Sequence, residues 1–234
     1  MKARLLDALR TARDARRTAA VVTDLDGGAQ ALVVGDAVQG DLVLEQAESD
    51  AVAARMRGET SGRLDPAPGV RPLFVDVVAA PPHLILVGAV HIAQHLVALA
   101  RVMEMDVTVV DPRDAFAEPG RFPDITVIPD WPDEALETLS LDARCAVVTL
   151  THDPKLDDPA LRVALPSPAF YVGSLGSRKT HAARVERLRA AGLGEHVIGR
   201  LHAPVGLDIG ARTPAEIALS VMAEITAVRR GARP

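Results

Sequence analysis

Four short stretches hold residue types able to grip a charged, hydroxyl-bearing molecule, and the first three follow apolar runs. The first is Gly88-Ala89-Val90-His91, after the run 84–87. A glycine there lets the backbone approach a phosphate, and the N–H groups and dipole of a helix starting just beyond stabilise the negative charge. Asp111, with Arg113 beside it, follows at close to the spacing of about 20 residues at which an acidic side chain meets a ribose hydroxyl in a dinucleotide-binding unit. The fingerprint, Gly-x-Gly-x-x-Gly/Ala, is met except at its middle glycine, which is Val90. A β-branched side chain there stands where a pyrophosphate would sit, so NAD(P) is the lesser expectation. A first turn that binds nothing remains the other reading.

The second stretch is Thr151-His152-Asp153. A hydroxyl, an imidazole and a carboxylate in succession can orient a ligand or form an acid–base pair. Equally, Asp153 or Asp157 can cap a helix, with Pro154 and Pro159 at helix starts. The third runs from Gly173 through Gly176, Ser177, Arg178 and Lys179 to Thr180 and reads as the best anion site in the chain, the other reading being a glycine-rich turn with a solvated Arg-Lys start. Two glycines permit a tight loop, hydroxyls and new helical N–H groups accept an oxyanion, and two cations add charge. The Walker spacing is absent. The fourth, from His202 through Gly206, Asp208 and Gly210, is an irregular turn ahead of the capping box Thr213-Pro214-Ala215-Glu216. Glu224 on the helix that follows is either buried or reaches this turn. No residue is assigned a catalytic role. His91 and His95 are spaced for one helix face but lack a third ligand nearby in sequence, so the metal set stays unknown.

The elements that must position these loops follow from periodicity. Unbroken apolar runs at 84–87, 107–110 and 145–150 read as parallel strands covered on both faces. Shorter strands are expected at 125–128 and 169–172. Helices are expected from about 90 to 105 and at 132–139, 159–165, 180–191 and 213–230. Strands alternating with helices predict an α/β, Rossmann-like doubly wound parallel sheet over residues 81–234, with ligands beyond the carboxyl ends of its strands. Residues 1–80 predict a smaller α+β domain. It has a helix over 2–16, strands at 18–25 and 30–35 around Asp26-Gly27-Gly28, a short strand at 41–44 and a helix over 45–57. A break at 65–69 and a strand at 70–78 complete it.

Composition narrows the function classes. A net charge of −5 and an aromatic set of four Phe, one Tyr and one Trp argue against a nucleic-acid surface. One cysteine, Cys145, excludes an intrachain disulfide, suits a reducing cytoplasm and reads as a buried, inert thiol. No signal-peptide core and no 18-residue apolar span is present, so a soluble, cytoplasmic protein without a membrane partner is expected.

Taken together, Ile-Leu-Val-Gly-Ala-x-His, Val-Thr-Val-Val-Asp-Pro-Arg, Arg121-Phe122-Pro123, Leu150-Thr151-His152-Asp153, the 171–180 loop and the 202–218 segment resemble the XdhC/CoxI family over about residues 82–230. The resemblance implies a maturation factor for molybdenum hydroxylases such as xanthine dehydrogenase and carbon monoxide dehydrogenase. Such a protein binds molybdenum cofactor (molybdopterin, in mono- or dinucleotide form), assists its sulfuration by a cysteine desulfurase and passes it to the client hydroxylase. On that reading Ser177, Arg178 and Lys179 take the phosphate, Asp111 a hydroxyl-bearing group, and His152 and Asp208 the pterin or metal end. A homodimer is compatible with it. Two departures stand out. The family's Gly-x-Gly-His turn is Gly88-Ala89-Val90-His91, and its N-terminal Gly-Gly-Cys-Val-Glu-like segment is Gly40-Asp41-Leu42-Val43-Leu44-Glu45, without glycine pair or cysteine. Residues 1–80 thus resemble a degenerate form of the family's N-terminal domain. The rivals are a nucleotide-dependent enzyme using the same first turn and a docking paralogue that has lost cofactor binding.

Overall fold

Apolar residues at alternate positions decide the first part of the chain. In this computed structural model, which describes residues 3–64, 71–113 and 119–232, the chain divides into units Met1–Pro81 and Pro82–Pro234. The first unit holds strands β1 (Ala19–Asp24), β2 (Gln30–Val34), β3 (Ala37–Gly40), β4 (Gly62–Leu64) and β5 (Leu73–Val78), with helices α1 (Ala3–Asp14) and α2 (Gln46–Gly58). The sheet order is β3-β2-β1-β5-β4, antiparallel throughout. Successive strand residues point to opposite faces. Ala20, Val22, Ala31, Val33 and Val75 therefore share a core with Val52 of α2, while Ala19, Val21 and Leu32 share one with Leu5 and Ala12 of α1.

The third strand lies at Ala37–Gly40 and not at 41–44. All four of its residues are exposed, so no burial pattern marks it, whereas Leu42 is buried as a single plug beneath the α2 face. Glu45 caps α2 in a reciprocal box with Glu48, which also pairs with Arg71 at 2.8 Å. The break expected at 65–69 and the first residue of the strand expected at 70–78 lie outside the described residues.

The second unit is an α/β domain with six parallel strands: β6 (His83–Val87), β7 (Asp106–Val110), β8 (Thr126–Ile128), β9 (Cys145–Thr149), β10 (Tyr171–Ser174) and β11 (Leu201–His202). Their order, β11-β10-β9-β6-β7-β8, is the Rossmann-like doubly wound arrangement, whose direction reverses between β6 and β9. Leu84 and Leu86 face α3 (His91–Val102) and α8 (Pro214–Arg229). Ile85 and Val87 face α4 (Pro132–Thr138), α5 (Pro154–Ala164) and α6 (Arg178–Ala190). Both faces being covered explains the unbroken apolar runs. Cys145 is buried in β9 beside the Asp142 carboxylate at 3.3 Å. Helix α5 starts at Pro154, five residues before the expected start, because Asp153 caps it there. The short α7 (Glu195–Ile198) and β11 have no periodicity to betray them. No helix among the described residues is long and apolar enough to cross a membrane.

Candidate functional site

The parallel strands end along one edge, and their backbones stay paired just beyond. Gly88 N–H donates to Val110 O at 2.8 Å, Leu150 N–H to Val87 O at 2.9 Å, Leu175 N–H to Thr149 O at 2.9 Å and Val205 N–H to Ser174 O at 3.2 Å. The turns that carry the candidate residues therefore stand in a row. At about 4.8 Å per strand, Gly88 and His202 lie about 14 Å apart, so only an elongated ligand touches both.

At the switch point the first turn and the central loop touch. Gly88 has φ +112°, and a Cβ there would lie 2.6 Å from Thr151 Cγ2, so both backbone and space require glycine. Asp111, expected to meet a hydroxyl-bearing group, is instead turned inward and fully buried. Its carboxylate accepts the Ala89 N–H at 2.7 Å and the Arg113 N–H, Nε and Nη2 at 3.1, 2.8 and 2.7 Å. Burial acts to raise its pKa, but Arg113 and these N–H groups outweigh that and hold it below the ordinary carboxylate range. Val90 sits at the N-cap of α3 and packs against the core of that face. His91 is exposed at the first position of α3, its Nδ1 3.1 Å from Gln94 Oε1 and its ring edge-on to His95 at 5.0 Å. Among the described residues no cluster of three metal-ligating side chains forms.

In the central loop Thr151 and Asp153 are engaged within the fold. Thr151 Oγ1 donates to Asp157 Oδ1 at 2.7 Å and accepts the Asp153 N–H at 3.1 Å, while Asp153 caps α5 by accepting the Lys155 N–H at 2.9 Å. His152 is left exposed at φ +60°, a left-handed backbone that is costly outside glycine. Beneath it Asp157 faces Arg184 at 3.5 Å, both buried, and Arg184 Nη2 donates to Leu175 O at 3.1 Å. Burial pushes the Asp157 pKa up and the Arg184 pKa down, each against the attraction of the other. This brace joins the second and third loops. The sequence reading missed it, although an arginine one turn before the buried Leu188 on α6 was a signal.

The third loop divides its residues between packing and exposure. Gly173 lies buried inside β10, where a Cβ would meet Val205 and the Tyr171 ring, so its role is packing. Gly176 has φ +148° and folds tightly over Thr180. Ser177 caps α6 by accepting the Thr180 N–H at 3.1 Å. Arg178 and Lys179 are exposed at the helix start, where the first N–H groups lack intrahelical partners, and neither pairs with a carboxylate among the described residues.

In the fourth loop Glu224 of α8 is the organiser. Its carboxylate accepts the Tyr171 hydroxyl at 2.5 Å and the Gly206 N–H at 2.8 Å, and lies 3.1 Å from His202 Nδ1. Gly206, at φ +97°, lies so close to Ser220 that a Cβ would sit 2.4 Å from its Oγ. Burial, then Glu224, pushes the Tyr171 hydroxyl pKa up. Asp208 and Gly210 are exposed further along the turn.

Sheet order and carboxyl-edge loops define a Rossmann-like domain. The chain belongs to the XdhC family: the model of the XdhC Rossmann domain matches residues 84–225, more than half of the chain. The molybdenum cofactor insertion chaperone PaoD of Escherichia coli (strain K12) is 37% identical over 95 residues, 41% of this chain and 30% of PaoD. A Bacillus subtilis (strain 168) protein, named as a probable subunit of xanthine dehydrogenase, is 33% identical over 159 residues, 68% of this chain and 46% of that protein. The chain thus spans less than half the length of these curated relatives. A crystal structure described as a xanthine dehydrogenase from Bacillus halodurans matches with TM-score 0.75 at 23% identity, covering 98% of this chain and 65% of that one, which bears on the fold alone.

Proposed function

We propose that the chain serves the maturation of a molybdenum hydroxylase, as a carrier that holds molybdenum cofactor along the carboxyl edge of the six-stranded sheet before handing it on. The observation that carries this reading is the start of α6, where Arg178 and Lys179 stand exposed after the tight Gly176 turn, with no carboxylate partner among the described residues. The phosphate of a molybdopterin, in mono- or dinucleotide form, suits that helix start. His152, held in a left-handed conformation, and the exposed Asp208 would face the pterin or metal end. The name of PaoD supports handling of molybdenum cofactor, and that of the Bacillus subtilis relative a client of the xanthine dehydrogenase kind. Sulfuration by a cysteine desulfurase, a homodimer and a cytoplasmic location belong to the same proposal. So does the reading of the first unit as a degenerate N-terminal domain.

The test is co-expression with a molybdenum hydroxylase, anaerobic purification, and assay of bound molybdenum and released pterin. Near-stoichiometric pterin is expected. A second reading, a docking protein without cargo, is favoured by the first turn, where the Ala89 N–H is taken by Asp111 and Val90 replaces the fingerprint glycine. A client matured without any bound pterin would select it. The same turn speaks against an NAD(P)-dependent enzyme, for which a thermal shift with NAD(P) is the check.

A further inference from the structure

Glu224 is 7% exposed, and its polar contacts lie within the protein. Oε2 accepts the Tyr171 hydroxyl and the Gly206 N–H, and Oε1 faces His202 Nδ1. Burial acts to raise its pKa, yet His202, Tyr171 and Gly206 together hold it low, so the carboxylate stays ionised. An ionised carboxylate only accepts, so neutral His202 carries its proton on Nδ1. Its Nε2 then keeps a lone pair. That atom has no partner among the described residues, on a ring 27% exposed and stacked on Tyr171 at 4.5 Å and 25°.

A fastener for this loop would not need a charge. An amide oxygen would satisfy the Tyr171 hydroxyl and the Gly206 N–H without the cost of burying a carboxylate. What the charge adds is a fixed tautomer, a fixed ring and support for an imidazolium. We infer that His202 is the proton-accepting group of this edge and Glu224 its positioning residue, the bound molecule presenting an ionisable N–H, O–H or S–H to His202 Nε2. On transfer the bond to that proton breaks, its electron pair stays on the ligand, and the imidazolium lies between the new anion and Glu224. The inference rests on reading this edge as a ligand site, but the tautomer does not depend on which ligand binds.

Long-range proton–nitrogen NMR on the full chain, at a pH where His202 is neutral, tests the tautomer. Protonated Nδ1 and bare Nε2 are expected. Glu224→Gln offers an amide N–H to Nδ1 and should move the proton to Nε2, whereas Tyr171→Phe should leave it in place. Diethyl pyrocarbonate, which acylates a bare imidazole nitrogen, is expected to modify His202 in the free protein, as read by peptide mass spectrometry. That modification is expected to be lost in Glu224→Gln and in protein purified with bound molybdenum cofactor. A wild-type Nε2–H tautomer, or His202 still modified at full cofactor occupancy, overturns the inference. If no cofactor co-purifies while tautomer and reactivity are as expected, the cofactor reading falls and the proton-accepting site stands.

Discussion

The Asp111 carboxylate accepts the backbone N–H of Ala89 at 2.7 Å, joining the end of β7 to the first turn after β6. The residue spaced to meet a ribose thus braces the turn that would meet the phosphate, with Arg113 closing the other side.

Replacing Asp111 with Asn should cost about 1.5–3 kcal/mol at neutral pH, the usual scale for hydrogen bonds to a charged group. The folded pKa of Asp111 lies below its ordinary value, so its contribution is present in full above about pH 3.9 and is lost as the pH falls through the lower folded value. Urea midpoints of native protein and variant should therefore converge in acid. A gap that stays constant from neutral pH down to pH 2 would contradict the brace.

Gly88→Ala strains a backbone at φ +112° and drives a methyl group into Thr151 Cγ2. A cost of about 1–3 kcal/mol is expected for the strain alone, with the clash on top. Thr151→Ser removes Cγ2 and keeps the hydroxyl on Asp157. The double variant should then lose less than the two single costs together, and simple additivity in thermal melts would show that the two loops do not touch.

Asp157 and Arg184 form a buried pair, so each is expensive without the other. Arg184→Met should cost about 3–5 kcal/mol and Asp157→Leu a similar amount. The double variant should recover about 1–3 kcal/mol relative to their sum. A double-mutant cycle with no coupling would mean that the brace between the second and third loops does not exist.

Arg178→Ala/Lys179→Ala removes two exposed cations without partners among the described residues, so stability should change by less than about 0.5 kcal/mol. Co-purified pterin should fall, and what remains should wash off more readily as salt is raised. Full retention at high salt would remove the phosphate from this helix start.

The unbroken apolar runs in β6, β7 and β9 declared the parallel sheet because strands covered on both faces cannot alternate. The capping box at Thr213 and Glu216 likewise announced α8. What stayed hidden has physical reasons. Strand β3 buries nothing and β11 has two residues, so neither carries a pattern. The engagement of Asp111 with Ala89 and Arg113 was hidden because spacing shows where a carboxylate lies and not which way it turns. Glu224 was suspended between core and site for the same cause, since it is buried and also touches His202. The Asp157–Arg184 brace joins residues on two helices, a relationship no local window contains.

The tie between Glu224 and the β10–β11 edge also orders events during synthesis. Domains generally fold from the N-terminus as the chain emerges, yet α8 packs against α3 and β10, elements made long before it. Until α8 has left the ribosome, Tyr171, His202 and the Gly206 turn have no carboxylate to gather them. A nascent chain can have its parallel sheet and its helix-start cations while one end of the edge is still unformed, so this end of the edge is completed only after α8 has emerged.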